Sequence, residues 1–282
     1  MKVLVSLLAI AGLLLHGVPG CTHAPEDAAI IRLKDGRQLS LSEIAEDLKG
    51  LRIVFVGELH NSAEHHGQQL AVIRALTRAG ASVAVGLEMF RHGSQKDLDQ
   101  WVLGQLSEKD FEGIYNDNWS YRWHLYRDIF VYARKHQLPM IGLNVSSDIT
   151  GQVASQGFAS LNPEQAGQLE GVTCQVDKAY MDFIERAFSM HGHGGKDFLY
   201  FCEAQMVWDA AMAVNLMAFL SRHPEFTVVV LTGSGHAWKH GIPAQVSKRS
   251  DLPYRVILPE IPGRAEQGKV SLEDADYLWL TK

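Results

Sequence analysis

An excess of basic charge is missing from this sequence. Its 26 lysines and arginines are outnumbered by 32 aspartates and glutamates, giving a net charge of −6 over 282 residues. Gripping nucleic acid requires a basic face, so no nucleic-acid partner is expected. Cysteine is scarce, with three in all. There is no Cys-x-x-Cys pair and no His-Glu-x-x-His, so the common zinc signatures are absent. No Gly-x-Ser-x-Gly elbow presents a serine nucleophile. No glycine-rich loop has dinucleotide or P-loop spacing. Beyond the N-terminal region, no segment reaches the ~18 apolar residues of a membrane span. What is present is a 46% hydrophobic share, enough for a large core in one large domain or two small ones.

The N-terminus stands apart. Lys2 precedes the apolar run VLVSLLAIAGLLL, and HGVPGC closes it with small residues and a cysteine. This reads as an export signal over residues 1–20 rather than a span. Val18-Pro19-Gly20-Cys21 resembles a bacterial lipobox, in which Cys21 becomes the lipidated first residue; Pro19 departs from the usual residue there. The alternative is a plain secretory signal with a coincidental cysteine. Lipidation would tether the protein to a bacterial envelope membrane, on the outer-membrane or periplasmic side. Cys174 and Cys202 remain. In an oxidising compartment they can pair, or Cys202 can stay a buried free thiol in its apolar stretch.

Short runs of strand formers then alternate with helical patterns. GRQLSLSEIAEDLKG reads as a helix, with Ser40 and Glu43 in capping-box spacing and Gly50 as the stop. RIVFVGE, SVAVGLEM, PMIGLNV, TVVVLTG, RVILPEI and YLWLTK read as strands. Ser94 and Ser107 are expected N-caps. The strands are continuously apolar rather than alternating, which argues burial on both faces. The expectation is an α/β fold with a mainly parallel sheet flanked by helices. Residues 21–145 and 201–282 would supply the two parts of this α/β unit. Residues 146–200 lack a convincing strand and read as an inserted helical subdomain, with a helix start at Asn162-Pro163-Glu164 and a helix over roughly Asp177–Met190.

Open parallel sheets bind ligands at the carboxyl ends of their strands. Here those ends carry Glu58 and His60, Glu88, Asn144, and Ser234 with His236. A parallel sheet would bring Glu58, His60, Glu88 and His236 to one mouth. Asp209 interrupts an apolar helix beside Gln205, Trp208 and Met212, and a buried carboxylate needs a partner; a pocket histidine is the expectation. His66 reads as a solvated helix-start residue, while His65 is evenly balanced between solvent and pocket. Mixed imidazole and carboxylate groups suit several divalent ions, so His60, Glu88 and His236 are candidate metal ligands. Tyr115, Trp119, Tyr121, Trp123 and Tyr126 crowd into twelve residues, fit either for a flat apolar ligand or for an aromatic core. Tyr180 and Met190 precede an HGHGG run that contains His191 and His193, and the tyrosine and the histidines read as exposed. Haem iron accepts phenolate, imidazole or thioether, which makes Tyr180, His191 and His193 candidate haem contacts.

GELHNSAEHHGQQ, GLEMF, NDNWSYRW, EAQMVWDAAMA and GSGHA, together with the lipobox-like Cys21, resemble the ChaN family of iron-regulated, haem-binding bacterial lipoproteins. The first and last of these also resemble a wider superfamily that includes erythromycin esterases and TIKI proteases. The resemblance implies an α/β fold with a helical subdomain, haem binding linked to iron acquisition through tyrosine and histidine contacts, and a homodimer. In the wider superfamily the Gly-x-x-His strand end, a second-strand glutamate and a late histidine form an active site, which places Gly57 to His60, Glu88 and His236 there. The leading expectation is therefore a lipid-anchored haem-binding protein. The alternative is a metal-dependent hydrolase with Glu58 as general base. A third reading is a non-catalytic remnant whose Glu–His pairs hold the sheet edge together.

Overall fold

Eight runs rich in Val, Ile and Leu form one sheet in the computed structural model, which describes residues 29–188 and 196–281. The export-signal segment with Cys21, and the pair His191 and His193, lie outside the described residues. The strands are β1 (Ile30–Arg32), β2 (Arg37–Leu39), β3 (Ile53–Glu58), β4 (Val83–Arg91), β5 (Met140–Asn144), β6 (Thr227–Gly233), β7 (Tyr254–Pro259) and β8 (Tyr277–Trp279). Their order across the sheet is β2-β1-β8-β7-β3-β6-β4-β5. From β8 to β5 every pairing is parallel. Only β1 runs antiparallel to its neighbours, β2 and β8.

The helices are α1 (Leu41–Leu48), α2 (Ala63–Arg78), α3 (Gln95–Val102), α4 (Glu108–Asn118), α5 (Trp123–Lys135), α6 (Ser147–Gln156), α7 (Pro163–Gly167), α8 (Lys178–Phe188), α9 (Lys196–Arg222), α10 (Ser234–Ala237) and α11 (Ile242–Ser247). Local sequence starts and stops many of them. Ser40 accepts from the Glu43 amide at 3.3 Å while the Glu43 carboxylate takes the Ser40 amide at 2.9 Å, a capping box that satisfies two end donors. After α1 the chain turns at Gly50, whose φ of +79° is open to glycine. Ser62, Ser107 and Asn162 cap α2, α4 and α7. Ser94 makes no capping bond; its hydroxyl donates to the Asn118 side chain at 3.1 Å.

Period-two alternation sends neighbouring strand residues to opposite faces. Val54, Val56, Val85, Leu87, Val229 and Leu231 pack on one side against α1 to α5. Ile53, Phe55, Ala84, Val228 and Val230 pack on the other against α8, α9 and α11. Each fully buried large side chain of this kind contributes about 1.5–3 kcal/mol. This accounts for strands that read as unbroken apolar runs. Among the described residues, 146–200 hold α6, α7, α8 and the start of α9 without a strand; Ile149 and Val153 of α6 pack on Ala204 and Val207 of α9. Cys174 and Cys202 are both free thiols. No helix among the described residues is long and apolar enough to cross a membrane.

Candidate functional site

The parallel strands deliver the polar residues to one edge. Glu58 closes β3, and His60 follows two residues later. The His60 Nδ1 lies 2.7 Å from Glu58 Oε1. Glu58 is only 1% exposed, and more than one group surrounds it. The Tyr126 hydroxyl donates to Oε1 at 2.5 Å, and His66 Nε2 approaches Oε2 at 3.1 Å. Burial pushes the Glu58 pKa up, but hydrogen bonds and charge from His60 and His66 outweigh it and hold the carboxyl at about 2. Glu58 is thus a fixed anion that orients His60, and it does not line the cleft described below. This differs from its expected role as a pocket-facing general base. His66 is not solvated as expected; it is buried under Tyr126, with ring centroids 3.9 Å apart. His65 is buried too. Its Nδ1 accepts from the Leu59 amide at 2.9 Å, and burial lowers its pKa to about 4.

A second imidazole–carboxylate pair faces the first. Asp209 of α9 lies 2.7 Å from His236 Nδ1 on α10, so the buried helix acid has the pocket histidine as its partner. Tyr180 donates to the other Asp209 oxygen at 2.7 Å. Burial works against the charge of His236, but Asp209 and Glu88 outweigh it and raise the pKa to about 9. Burial likewise opposes protonation of His60, and is outweighed by Glu88 and Glu58, so its pKa also rises.

Glu88 stands between the pairs. Its Oε2 accepts from the Thr232 hydroxyl at 2.5 Å and the Gly233 amide at 2.6 Å. Its Oε1 lies 3.9 Å from His60 Nε2 and 3.8 Å from His236 Nε2. Gly233 is required by this packing: a Cβ there would sit 2.8 Å from His60 Cε1. The site therefore holds two imidazoles, each fixed through Nδ1, that turn their Nε2 atoms towards one carboxylate oxygen.

A divalent ion is not supported at this centre. Two ligands of a tetrahedral ion at bond lengths of ~2.1 Å stand about 3.4 Å apart, less than the 3.8 and 3.9 Å between Glu88 Oε1 and the imidazoles. No group of three or more His, Cys, Asp or Glu among the described residues could hold a metal ion.

Glu88 opens onto a cavity of about 320 Å³, lined also by Arg91, Asp117, Trp119, Asn144 and Trp208. Trp119 stands edge-on to His60 and Trp208 edge-on to His236. A second cavity of about 490 Å³ shares Arg91, Asn144 and Val145 with the first, so the two form one cleft over the ends of β4 and β5. The register of β4 against β5 shifts between Leu87 and Arg91, a bulge that re-aims the strand end. The aromatic segment divides between both expected roles. Tyr115, Trp123 and Tyr126 are core, whereas Trp119 and Tyr121 pack around the His60 ring, each with its centroid 5.0 Å away.

Tyr180 is not exposed. It is 7% accessible and its hydroxyl is committed to Asp209, so its phenol does not face an incoming haem. Of the aromatic cluster, Tyr121 takes the ligand-wall alternative, beside His60. Arg91 is a site residue that the sequence does not point to; nothing local distinguishes it, because its position follows from the bulge.

Comparisons with known proteins place these features in context. The family described as haem-binding uptake, Tiki superfamily, ChaN matches residues 44–246. Among solved structures, the chain is similar to ChaN of Campylobacter jejuni, a structure described as showing cofacial haem binding. The two are 21% identical, the match covers 91% of this chain and 98% of that one, and the TM-score is 0.71. An erythromycin esterase variant in an open conformation is 16% identical, with 82% and 76% of the chains covered and a TM-score of 0.50. The type III effector HopBA1 is 14% identical, with 86% and 92% covered and a TM-score of 0.50. At these identities the likeness establishes a common fold. No curated protein matches the chain.

Proposed function

The chain belongs to the ChaN family of haem-binding uptake proteins within the Tiki superfamily, and from that membership we propose that it binds haem in the service of iron acquisition. The family match over residues 44–246 carries the reading. The side chains present suit the group. Tyr121 is 37% exposed and packs against His60 and against Trp119, which lines the cleft; it offers a phenol oxygen to haem iron. Trp119, Val145 and Trp208 supply apolar and aromatic surface along the same cleft. Tyr121 replaces Tyr180 as the tyrosine ligand in this reading. His191 and His193 remain proposed contacts on their chemistry alone. The proposed setting is a homodimer tethered to the bacterial envelope through Cys21. Haemin titrated into the purified soluble part should produce a Soret band, with mass measurement reporting the dimer. A wild-type protein that leaves the haemin spectrum unchanged refutes the proposal.

The paired imidazoles favour a second activity at the same edge. Glu88 Oε1 lies 3.9 and 3.8 Å from the two Nε2 atoms, a spacing that one water can bridge between the carboxylate and either imidazole. Glu88 would take a proton from that water, and an imidazolium would give one to the leaving group. Glu88 thereby replaces Glu58 as general base, and no metal enters the step. An ester and peptide panel tests this with wild type and Glu88→Gln; turnover equal in both rules it out.

A further inference from the structure

Each imidazole of the centre ends a chain of hydrogen bonds, and each chain starts at a buried tyrosine. On one side the Tyr126 hydroxyl of α5 donates to Glu58 Oε1 at 2.5 Å, and the same oxygen holds His60 Nδ1 at 2.7 Å. On the other side the Tyr180 hydroxyl of α8 donates to Asp209 Oδ2 at 2.7 Å, and Oδ1 holds His236 Nδ1 at 2.7 Å. The contributing elements differ, yet the order of tyrosine, carboxylate and imidazole is the same. Packing alone gives no reason to build that order twice. The chains differ in one respect. Glu58 also has His66 Nε2 at 3.1 Å, so it keeps a second donor without its tyrosine. Asp209 leans on Tyr180. It is 1% exposed, and a carboxylate so deeply buried stays charged only while its oxygens are hydrogen-bonded. An ionised Asp209 accepts and cannot donate. His236 therefore carries a proton on Nδ1 whether its ring is neutral or cationic, and Nε2, which faces Glu88, is the nitrogen that gains and loses one.

The helix that supplies Tyr180 also grips the segment that carries His236. Tyr180, Phe183 and Arg186 recur every three residues along one side of α8. The Phe183 ring packs against Trp238 and stacks on His240, with centroids 6.1 and 5.4 Å away. The Arg186 guanidinium lies 4.8 Å over the Trp238 ring and donates to Asp274 Oδ1 at 2.5 Å. The Asp274 carbonyl in turn accepts from the Lys239 amide at 2.9 Å. Three side chains of α8 thus brace residues 236–240, although the helix lies in the 146–200 segment, which contributes none of His60, Glu88 and His236.

We propose that Tyr180 is the positioning residue of His236, acting through Asp209, and that α8 is the brace by which the helical segment sets the geometry of the twin-imidazole centre. Its consequence for turnover rests on the hydrolytic reading above, whereas the orientation of His236 is measurable without it.

Histidine-ring NMR of the purified protein tests the orientation. Wild type should show a hydrogen-bonded, slowly exchanging Nδ1 proton for His236, assigned by its absence in His236→Asn. In Tyr180→Phe that proton should exchange with solvent about tenfold faster or more, the worth of one hydrogen bond to a charged group, while the His60 proton is unaffected. An unchanged His236 proton overturns the proposal, whatever happens to the melting temperature, because a merely structural tyrosine would lower stability alone. If Tyr180→Phe does not fold, as judged by its circular dichroism, Arg186→Gln loosens the far end of the brace instead: the same proton should exchange faster, and an unchanged rate overturns the proposal. On an ester or peptide that wild type turns over and Glu88→Gln does not, Tyr180→Phe should lower kcat about tenfold or more at unchanged KM. An altered His236 proton with unchanged kcat also overturns it. A wild type inert on the whole panel removes the hydrolytic reading, and the NMR comparison then decides the positioning by itself.

Discussion

Gly233→Ala isolates the packing on which the twin-imidazole centre depends. The φ of Gly233 is −53°, so alanine meets no backbone strain there and the perturbation is purely one of space. The added methyl would lie 2.8 Å from His60 Cε1 and 2.9 Å from Nε2. Ordinary carbon contacts are ~3.5 Å or longer, so the ring must retreat by roughly 0.7 Å. Directed away from Glu58, that retreat would open the 2.7 Å contact between His60 Nδ1 and Glu58 Oε1 to about 3.4 Å, beyond good hydrogen-bond length. Overpacking of this kind costs about 1–3 kcal/mol. The His60 pKa is raised in the fold, against the opposing effect of burial, by Glu88 and Glu58, and should drop towards its ordinary value as the ring leaves them. A raised histidine pKa stabilises the fold fully below the unfolded value, and the effect fades as pH rises through the folded one. The variant should therefore lose more stability at pH 6 than at pH 9. Two-dimensional NMR titration of the histidines, with thermal melts at both pH values, reads both effects. An unchanged His60 titration in Gly233→Ala would refute the steric reasoning.

Three other perturbations test other parts of the molecule. His65 is held neutral with a pKa of about 4, mainly by burial; its depressed value means that stability is present above pH ~6.5 and is lost towards pH 4. That loss is worth about 3 kcal/mol, and urea melts of His65→Asn should lack this part of the acid slope. Tyr180→Phe removes the donor to Asp209 Oδ2, leaving a buried acceptor short of a partner at a cost of about 1–3 kcal/mol. Its melting temperature should fall while its haemin Soret band persists; loss of the band at full stability would restore Tyr180 as a ligand. Ser40→Ala breaks the capping box of α1 and should cost about 1 kcal/mol in denaturant melts.

The central strands were legible because both sheet faces are covered, which forces continuous apolar runs. Once those strands were taken as parallel, the meeting of His60, Glu88 and His236 followed from topology alone. Strands β1 and β2 escaped because each has three residues, and β2 is mostly exposed. The local setting of His66, the first turn of a capped helix, is polar and suggests solvent; α5 folds over it and brings in Tyr126, sixty residues away in sequence. The burial of Tyr180 was readable in principle. Tyr180, Phe183, Ile184 and Ala187 recur at helical spacing and share the buried face of α8, a pattern masked by the polar glycines and histidines that follow it. The placement of Arg91 depends on a register shift in β4, which no local pattern announces.

The antiparallel course of β1 has a mechanical outcome. Ile30 pairs with Trp279, and the Ala29 carbonyl accepts from the Leu280 amide at 2.9 Å. The polypeptide therefore enters the sheet at the margin where β8 finishes, the same margin that bears the ligand cleft. A leash fastened ahead of Ala29 would draw that margin, rather than the opposite one, towards whatever holds the leash.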